Sequence, residues 1–230
     1  NTGSLTQNGG TYGGGGTLSL ASVTMNLTTG FSNAAVILVE SNSTFNGPGT
    51  LTNAAGQALT LNFATVNAPL DNEGTLIASG IVAFNGAVTT GTASVLRVGQ
   101  VDGSAGVASL TVANGFTNNG VLDLSIITTI AAYSSQLTVT SGTLTNAAGA
   151  FILASGGARA GGTRTLNAQL ANLGTLRDSV PLTWQGPASA THSSSGTIDL
   201  RLADLTLSQS GAGASLTNTG TVTVGAGHTF

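Results

Sequence analysis

The octapeptide GTLTNAAG occupies Gly49–Gly56 and recurs letter for letter at Gly142–Gly149, 93 positions further on (142 − 49). A catalytic motif is seldom duplicated within one domain, whereas a structural unit often is. The octapeptide belongs to a wider set of segments that read Leu or Phe, any residue, Asn, and then Gly two or three positions later. The asparagines are Asn53 (LTNAAG), Asn72 (LDNEG), Asn118 (FTNNG), Asn146 (LTNAAG), Asn172 (LANLG) and Asn218 (LTNTG), spaced by 19, 46, 28, 26 and 46. If 46 is two turns, the series describes coils of the length found in solenoids. A longer period lies on top. Asn72 to Asn172 and Asn118 to Asn218 are both 100 residues, and 70–124 aligns with 170–224 without a gap. The expected organisation is one continuous solenoid with N-terminal coils and a Gly-rich loop over 1–48, a first repeat module over 49–141 and a second over 142–230.

Working outward from these segments, period-two alternation runs through the chain: TLSL (17–20), ALTLNF (58–63), SVLRV (94–98), ASLTV (108–112), VLDL (121–124), QLTVT (136–140), IDLRL (198–202) and TVTV (221–224). Each is a short strand with an apolar and a polar face. Thr, Val and Ile favour the extended form. The 34 glycines oppose helix, at about 1 kcal/mol each relative to Ala. A parallel β-helix of about ten coils, without significant helix, accounts for both the alternation and the Asn-Gly phase. A sandwich explains only the alternation, and a transmembrane barrel wants aromatic girdles that ten aromatic residues cannot supply. Right-handed coiling is the default for parallel crossovers. Each repeating Asn is assigned to a ladder of stacked amides. The glycines that follow (Gly56, Gly74, Gly120, Gly149, Gly174 and Gly220) are assigned to corners at positive φ.

Composition narrows the function. Thirteen charged residues make 6% of the chain, against a usual ~25%; the five basic ones are all arginine and the net charge is −3. Nucleic-acid binding would need clustered basic side chains, and a polybasic membrane patch is equally absent. No apolar run is long enough for a transmembrane helix; SIITTIAAYSS (125–135) is short and hydroxyl-rich. With no cysteine, disulfides, thiolate chemistry and Cys-ligated zinc are excluded. The sequence begins at Asn1 with neither an initiator Met nor a leader pattern, as expected of a mature piece or a segment of something longer.

Candidate chemistry is sparse. Asp71 and Glu73 flank Asn72, and Asp199 stands with Arg201 and Asp204. Either set suits a calcium or sugar site, or else a solvated turn and a surface ion pair. His192 and His228 read as exposed loop residues, and no cofactor or metal site is expected. GGTYGGGG (9–16) lacks the Lys-Ser/Thr of a phosphate loop. Ranks of outward threonine can order water, but TVT occurs only at 138–140 and 221–223, with LTLN, LTVA and LSLA elsewhere; along the sequence the pattern is too irregular for a lattice match.

With GTLTNAAG, LDNEGTL (70–76), FTNNGVLDLS (116–125) and SLTNTGTVTV (215–224) in view, the chain resembles the β-strand repeat regions of giant bacterial surface proteins, of the filamentous-haemagglutinin and autotransporter-passenger kind. That resemblance implies an extracellular solenoid serving as stalk, adhesin or fibre, and carries over no catalytic residue. The expected partners are further copies, pairing end to end through open edge strands, or surface glycans. Rival readings are a filament subunit and a carbohydrate-active β-helix enzyme, for which Trp184 near Arg177 and Asp178 is the one partial fit.

Overall fold

The computed structural model describes residues 3–35, 37–102, 106–159 and 161–230. Its described residues form strands, turns and bends without helix, stacked as a parallel β-solenoid of ten coils. Three faces run along the stack. Face I carries a strand in every coil, from Gly3–Gln7 to Leu205–Ser208. Face III does the same from Thr17–Ala21 to Thr221–Val224. Face II starts at Phe31–Ser32 in the second coil and ends at Ser215–Asn218 in the tenth. The long strands Ser134–Asn146 and Arg164–Asn172 pass from face I onto face II, merging the two into one sheet in the seventh and eighth coils.

Alternation puts one residue in two inside, and stacking aligns those residues in columns. On face III, Leu38, Leu59, Leu76, Leu96, Leu122, Ile152, Leu176 and Ile198 follow one another coil by coil, and all are buried. Met25, Phe45, Val66, Phe84, Val112 and Val139 form the matching column of face I. Within the stack, strand amides and carbonyls pair with the coils on either side, so it holds together with few charged contacts.

Coil length varies where the stack permits it. On face III the step from Leu59 to Leu76 is 17 residues and that from Leu122 to Ile152 is 30. The extra residues fall at one corner: the described residues 99–102, 106, 125–133, 155–159 and 161–163 lie between a strand of face III and the next strand of face I, in three successive coils. The two GTLTNAAG copies lie four coils apart, in the third and seventh coils, as do Asn72 and Asn172 in the fourth and eighth. The two 46-residue intervals divide differently: Asn72–Thr90–Asn118 is 18 and 28, whereas Asn172–Ser194–Asn218 is 22 and 24.

Candidate functional site

An amide ladder runs inside the solenoid at the end of face II. Asn33 Nδ2 donates to Asn53 Oδ1 (2.9 Å), and Asn53 Nδ2 to Asn72 Oδ1 (2.7 Å). In the sixth to ninth coils Asn118 donates to Asn146 (2.9 Å), Asn146 to Asn172 (2.8 Å) and Asn172 to Ser194 Oγ (3.3 Å). All are buried. A side-chain amide suits this position because it both donates and accepts along the stack. The second hydrogen of Nδ2 reaches backbone carbonyls, as in Asn118 to Phe151 O and Asn172 to Thr197 O. Thr90 interrupts the ladder in the fifth coil; its hydroxyl donates to Thr117 O (3.0 Å) and accepts the Asn119 amide (2.9 Å). Asn218 is exposed, and among the described residues its side chain bonds only its own turn, at Gly220 O. Asn33 was missed from the sequence because FSN fits the first half of the pattern but no glycine follows.

The six glycines fall into two groups, and four of them correct the expectation. Gly56 and Gly149 adopt φ of 76° and 83°, and a Cβ there would meet nothing within 4 Å. Gly74, Gly120, Gly174 and Gly220 are not at positive φ. They are glycine because the preceding coil leaves no room: a Cβ would stand 2.4 Å from Ala54 O, 2.2 Å from Ser94 O, 2.3 Å from Ala150 O and 2.0 Å from Gly196 O respectively. The substitutions therefore separate. Gly56→Asn costs under about 1 kcal/mol, since Asn tolerates the left-handed region, whereas Gly174→Ala forces two coils apart and costs several times more. Urea unfolding of both variants reads the ranking; equal losses would contradict it.

The carboxylates are scattered. Asp71 accepts from Thr89 Oγ1 (2.7 Å), while the Glu73 carboxylate lies over Gly91. The pair forms no common cradle, and among the described residues no group of three potential metal ligands occurs. Asp199 accepts Arg201 through Nε and Nη2 (2.7 and 2.8 Å) and Arg177 through Nε (3.0 Å). Arg201, then Arg177, hold its carboxyl at about 2, burial opposing them. Asp204 sits apart, held below its ordinary value chiefly by the Thr229 amide (2.9 Å) and by His228 (3.3 Å).

Two expectations fail at the ninth coil. Trp184 is wholly buried and unavailable to a sugar. His192 is 2% exposed and lies in the strand Thr191–Ser194, where it takes the place that Leu170 and Leu216 hold in neighbouring coils. It packs against Trp184 with ring centroids 4.6 Å apart. Burial lowers its pKa. Nδ1 accepts the Leu170 amide, so the neutral ring carries its proton on Nε2. Alternating polar residues concealed it: THSSS reads as a loop, yet Thr191–Ser194 is a strand whose inward members are His192 and Ser194.

Sequence reasoning also missed a charged row on the outside of face III. Arg97, Asp123, Leu153, Arg177 and Asp199 stand in register in five successive coils. The carboxylates lie beneath, with side chains 7% exposed, and the arginines above, at 39% and 44%. Arg97 and Arg177 each engage their aspartate through Nε, at 2.9 and 3.0 Å, which turns the rest of the guanidinium outward. A groove of about 400 Å³ opens beside Arg97, lined by Asp123, Ser125, Ile127 and Ser155 where the long corner segments stack. A second, of about 310 Å³, lies between Arg177, Arg201 and Leu202. Ser155 Oγ donates to Asp123 (2.6 Å), a contact that ties the corner after the seventh coil's strand to the strand of the sixth. No protein-family model matches the chain, and no curated protein or solved structure is significantly similar to it.

Proposed function

We propose that this chain is a rigid extracellular segment of a bacterial cell-surface protein, serving as stalk and adhesive fibre. The observation that carries the reading is the unbroken pairing of faces I and III through all ten coils, with an interior filled by apolar columns and amide ladders. Such a stack transmits length without disulfides, and its few charges leave it insensitive to salt. Surface glycans are the favoured partner, because corner insertions gathered on one side of a solenoid commonly form its binding face. Here they flank outward guanidinium groups that match carboxylated sugars. The role is binding rather than turnover.

Electron microscopy of the purified chain is expected to show discrete rods of about 50 Å, ten coils at ~4.8 Å each. Long filaments would instead establish the end-to-end subunit. Beads coated with the chain are expected to retain acidic polysaccharides, and Arg97→Ala/Arg177→Ala to release them. Formation of new reducing ends or unsaturated products from pectin or alginate would overturn the non-enzymatic reading.

A further inference from the structure

Face I differs from the rest of the molecule. Among the described residues no Asp, Glu or Arg points outward from its strands; Arg164, the one charged residue in them, is buried. Its outer surface is instead ruled by two columns. Thr24, Thr44, Thr65, Thr111 and Thr138 stand in one register position, interrupted only by Ala83 between Thr65 and Thr111. Two residues along each strand, Asn26, Asn46, Asn67 and Asn85 follow in successive coils. Each donates its amide to the one before, at 3.0, 2.8 and 2.7 Å. This second ladder runs opposite to the buried one. The hydroxyls of Thr24, Thr44, Thr65 and Thr111 have no protein partner among the described residues, and the threonines are partly exposed.

These features set a two-dimensional array. Neighbours within a column are ~4.8 Å apart, and the two columns roughly 6.6 Å, twice the strand rise. Threonine is stiff at its first side-chain torsion, the asparagines are locked by one another, and side-chain ladders of this kind keep a stacked sheet flat. Binding to the array therefore loses little side-chain entropy. Its complement is a surface that is uncharged, rigid, and built of hydrogen-bond donors and acceptors at close to these spacings. Oxygen positions on the faces of hexagonal ice meet that description. A crystalline polysaccharide fits less well, because sugar faces want aromatic platforms, and the rings of these strands (Phe45, Phe84 and Trp184) all point inward.

We propose that face I adsorbs to ice, the threonine hydroxyls and asparagine amides holding a layer of water in the lattice arrangement. Variation in coil length hides the array in the sequence, since successive register positions are 18 to 28 residues apart and only one of its threonines falls in a TVT triplet. The assay is the partition of the purified chain into a slowly grown ice hemisphere, with inhibition of ice recrystallisation. Wild type and Thr60→Lys, altered on the outer side of face III, are expected to be incorporated and to inhibit. Thr44→Lys/Thr65→Lys should be excluded like an albumin control while keeping the wild-type melting temperature and circular dichroism. Exclusion of the wild type, undiminished activity in the lysine variant, or capture by crystalline cellulose or chitin in place of ice would each overturn the proposal.

Discussion

Asn146→Ala is expected to destabilise the solenoid by about 3 kcal/mol, more than any exposed polar substitution. The side chain is wholly buried. It accepts from Asn118 (2.9 Å) and donates to Asn172 Oδ1 (2.8 Å), with a further contact to Thr175 O (3.3 Å). Removing it strands the Asn172 oxygen without a donor and weakens the Asn118 end. Each buried polar group left unpaired costs about 1–3 kcal/mol. The Asn118 amide keeps Phe151 O at 2.9 Å, which places the total near the middle of that sum. Asn218→Ala serves as the internal control, because Asn218 occupies the equivalent position at the exposed tenth coil; it should cost under about 0.5 kcal/mol. Asn146→Asp discriminates further. It can accept but not donate while ionised, so its penalty should exceed that of Ala at pH 7 and shrink as the pH falls. Urea unfolding followed by circular dichroism gives the ranking. Loss of a central rung should also separate the coils on either side into two transitions, since each repeat contacts only its neighbours. If Asn146→Ala and Asn218→Ala unfold alike, the ladder is ornamental and the backbone stack alone carries stability.

The sequence revealed the ladder through its rhythm, and the limits of that rhythm are physical. Leu-x-Asn was legible because one inward leucine and one inward amide recur at each corner. Where another residue can satisfy the same backbone groups the signal disappears: Thr90 and Ser194 fill the two gaps of 46 with hydroxyls that do part of the work of an amide. The glycine half of the pattern was visible but misread. Positive φ and close approach of a neighbouring coil both demand the absence of Cβ, and a single sequence cannot distinguish them; Gly56 and Gly74 look alike and differ in cause. Lateral relations were the least legible. The Arg–Asp row of face III and the Thr/Asn columns of face I depend on register between coils of unequal length, and that register is set by how many residues each corner sheds. Histidine at position 192 was hidden for the opposite reason, an inward position filled by a residue that usually marks the outside.

A buried carboxyl without a partner makes the fold sensitive to base. Glu40 occupies the inward column of face III between Leu20 and Leu61, is wholly buried, and neither oxygen has a hydrogen-bond partner among the described residues. Burial raises its pKa from 4.5 to about 7, offset only in part by Ser43, whose hydroxyl is turned to Ser41 O. A folded-state value above the unfolded one contributes stability that is complete below pH 4.5 and is lost as pH climbs through 7. At 1.36 kcal/mol per unit the loss is roughly 3 kcal/mol. Asp178, also buried with both oxygens unpartnered and raised by burial from 3.8 to about 6, adds a loss of the same sign over a lower window. Asp199 acts oppositely: its depressed value gives stability present above 3.8 and lost toward pH 2. These two carboxyls therefore lower stability between about pH 4 and 7, while His192, whose pKa burial lowers from 6.5, gives stability that is lost as the pH falls and so opposes them in the acid part of that window. Glu40→Leu, which continues the leucine column, should gain about 3 kcal/mol over wild type at pH 8. Glu40→Leu/Asp178→Asn should lose no stability between pH 6 and 8, and below that range should show only the fall toward acid that His192 and Asp199 impose. Urea midpoints at pH 4, 6 and 8 decide the matter. Glu40→Leu no more stable than wild type at pH 8 would mean that Glu40 finds a partner or water in solution, and that the second coil is looser than its packing shows.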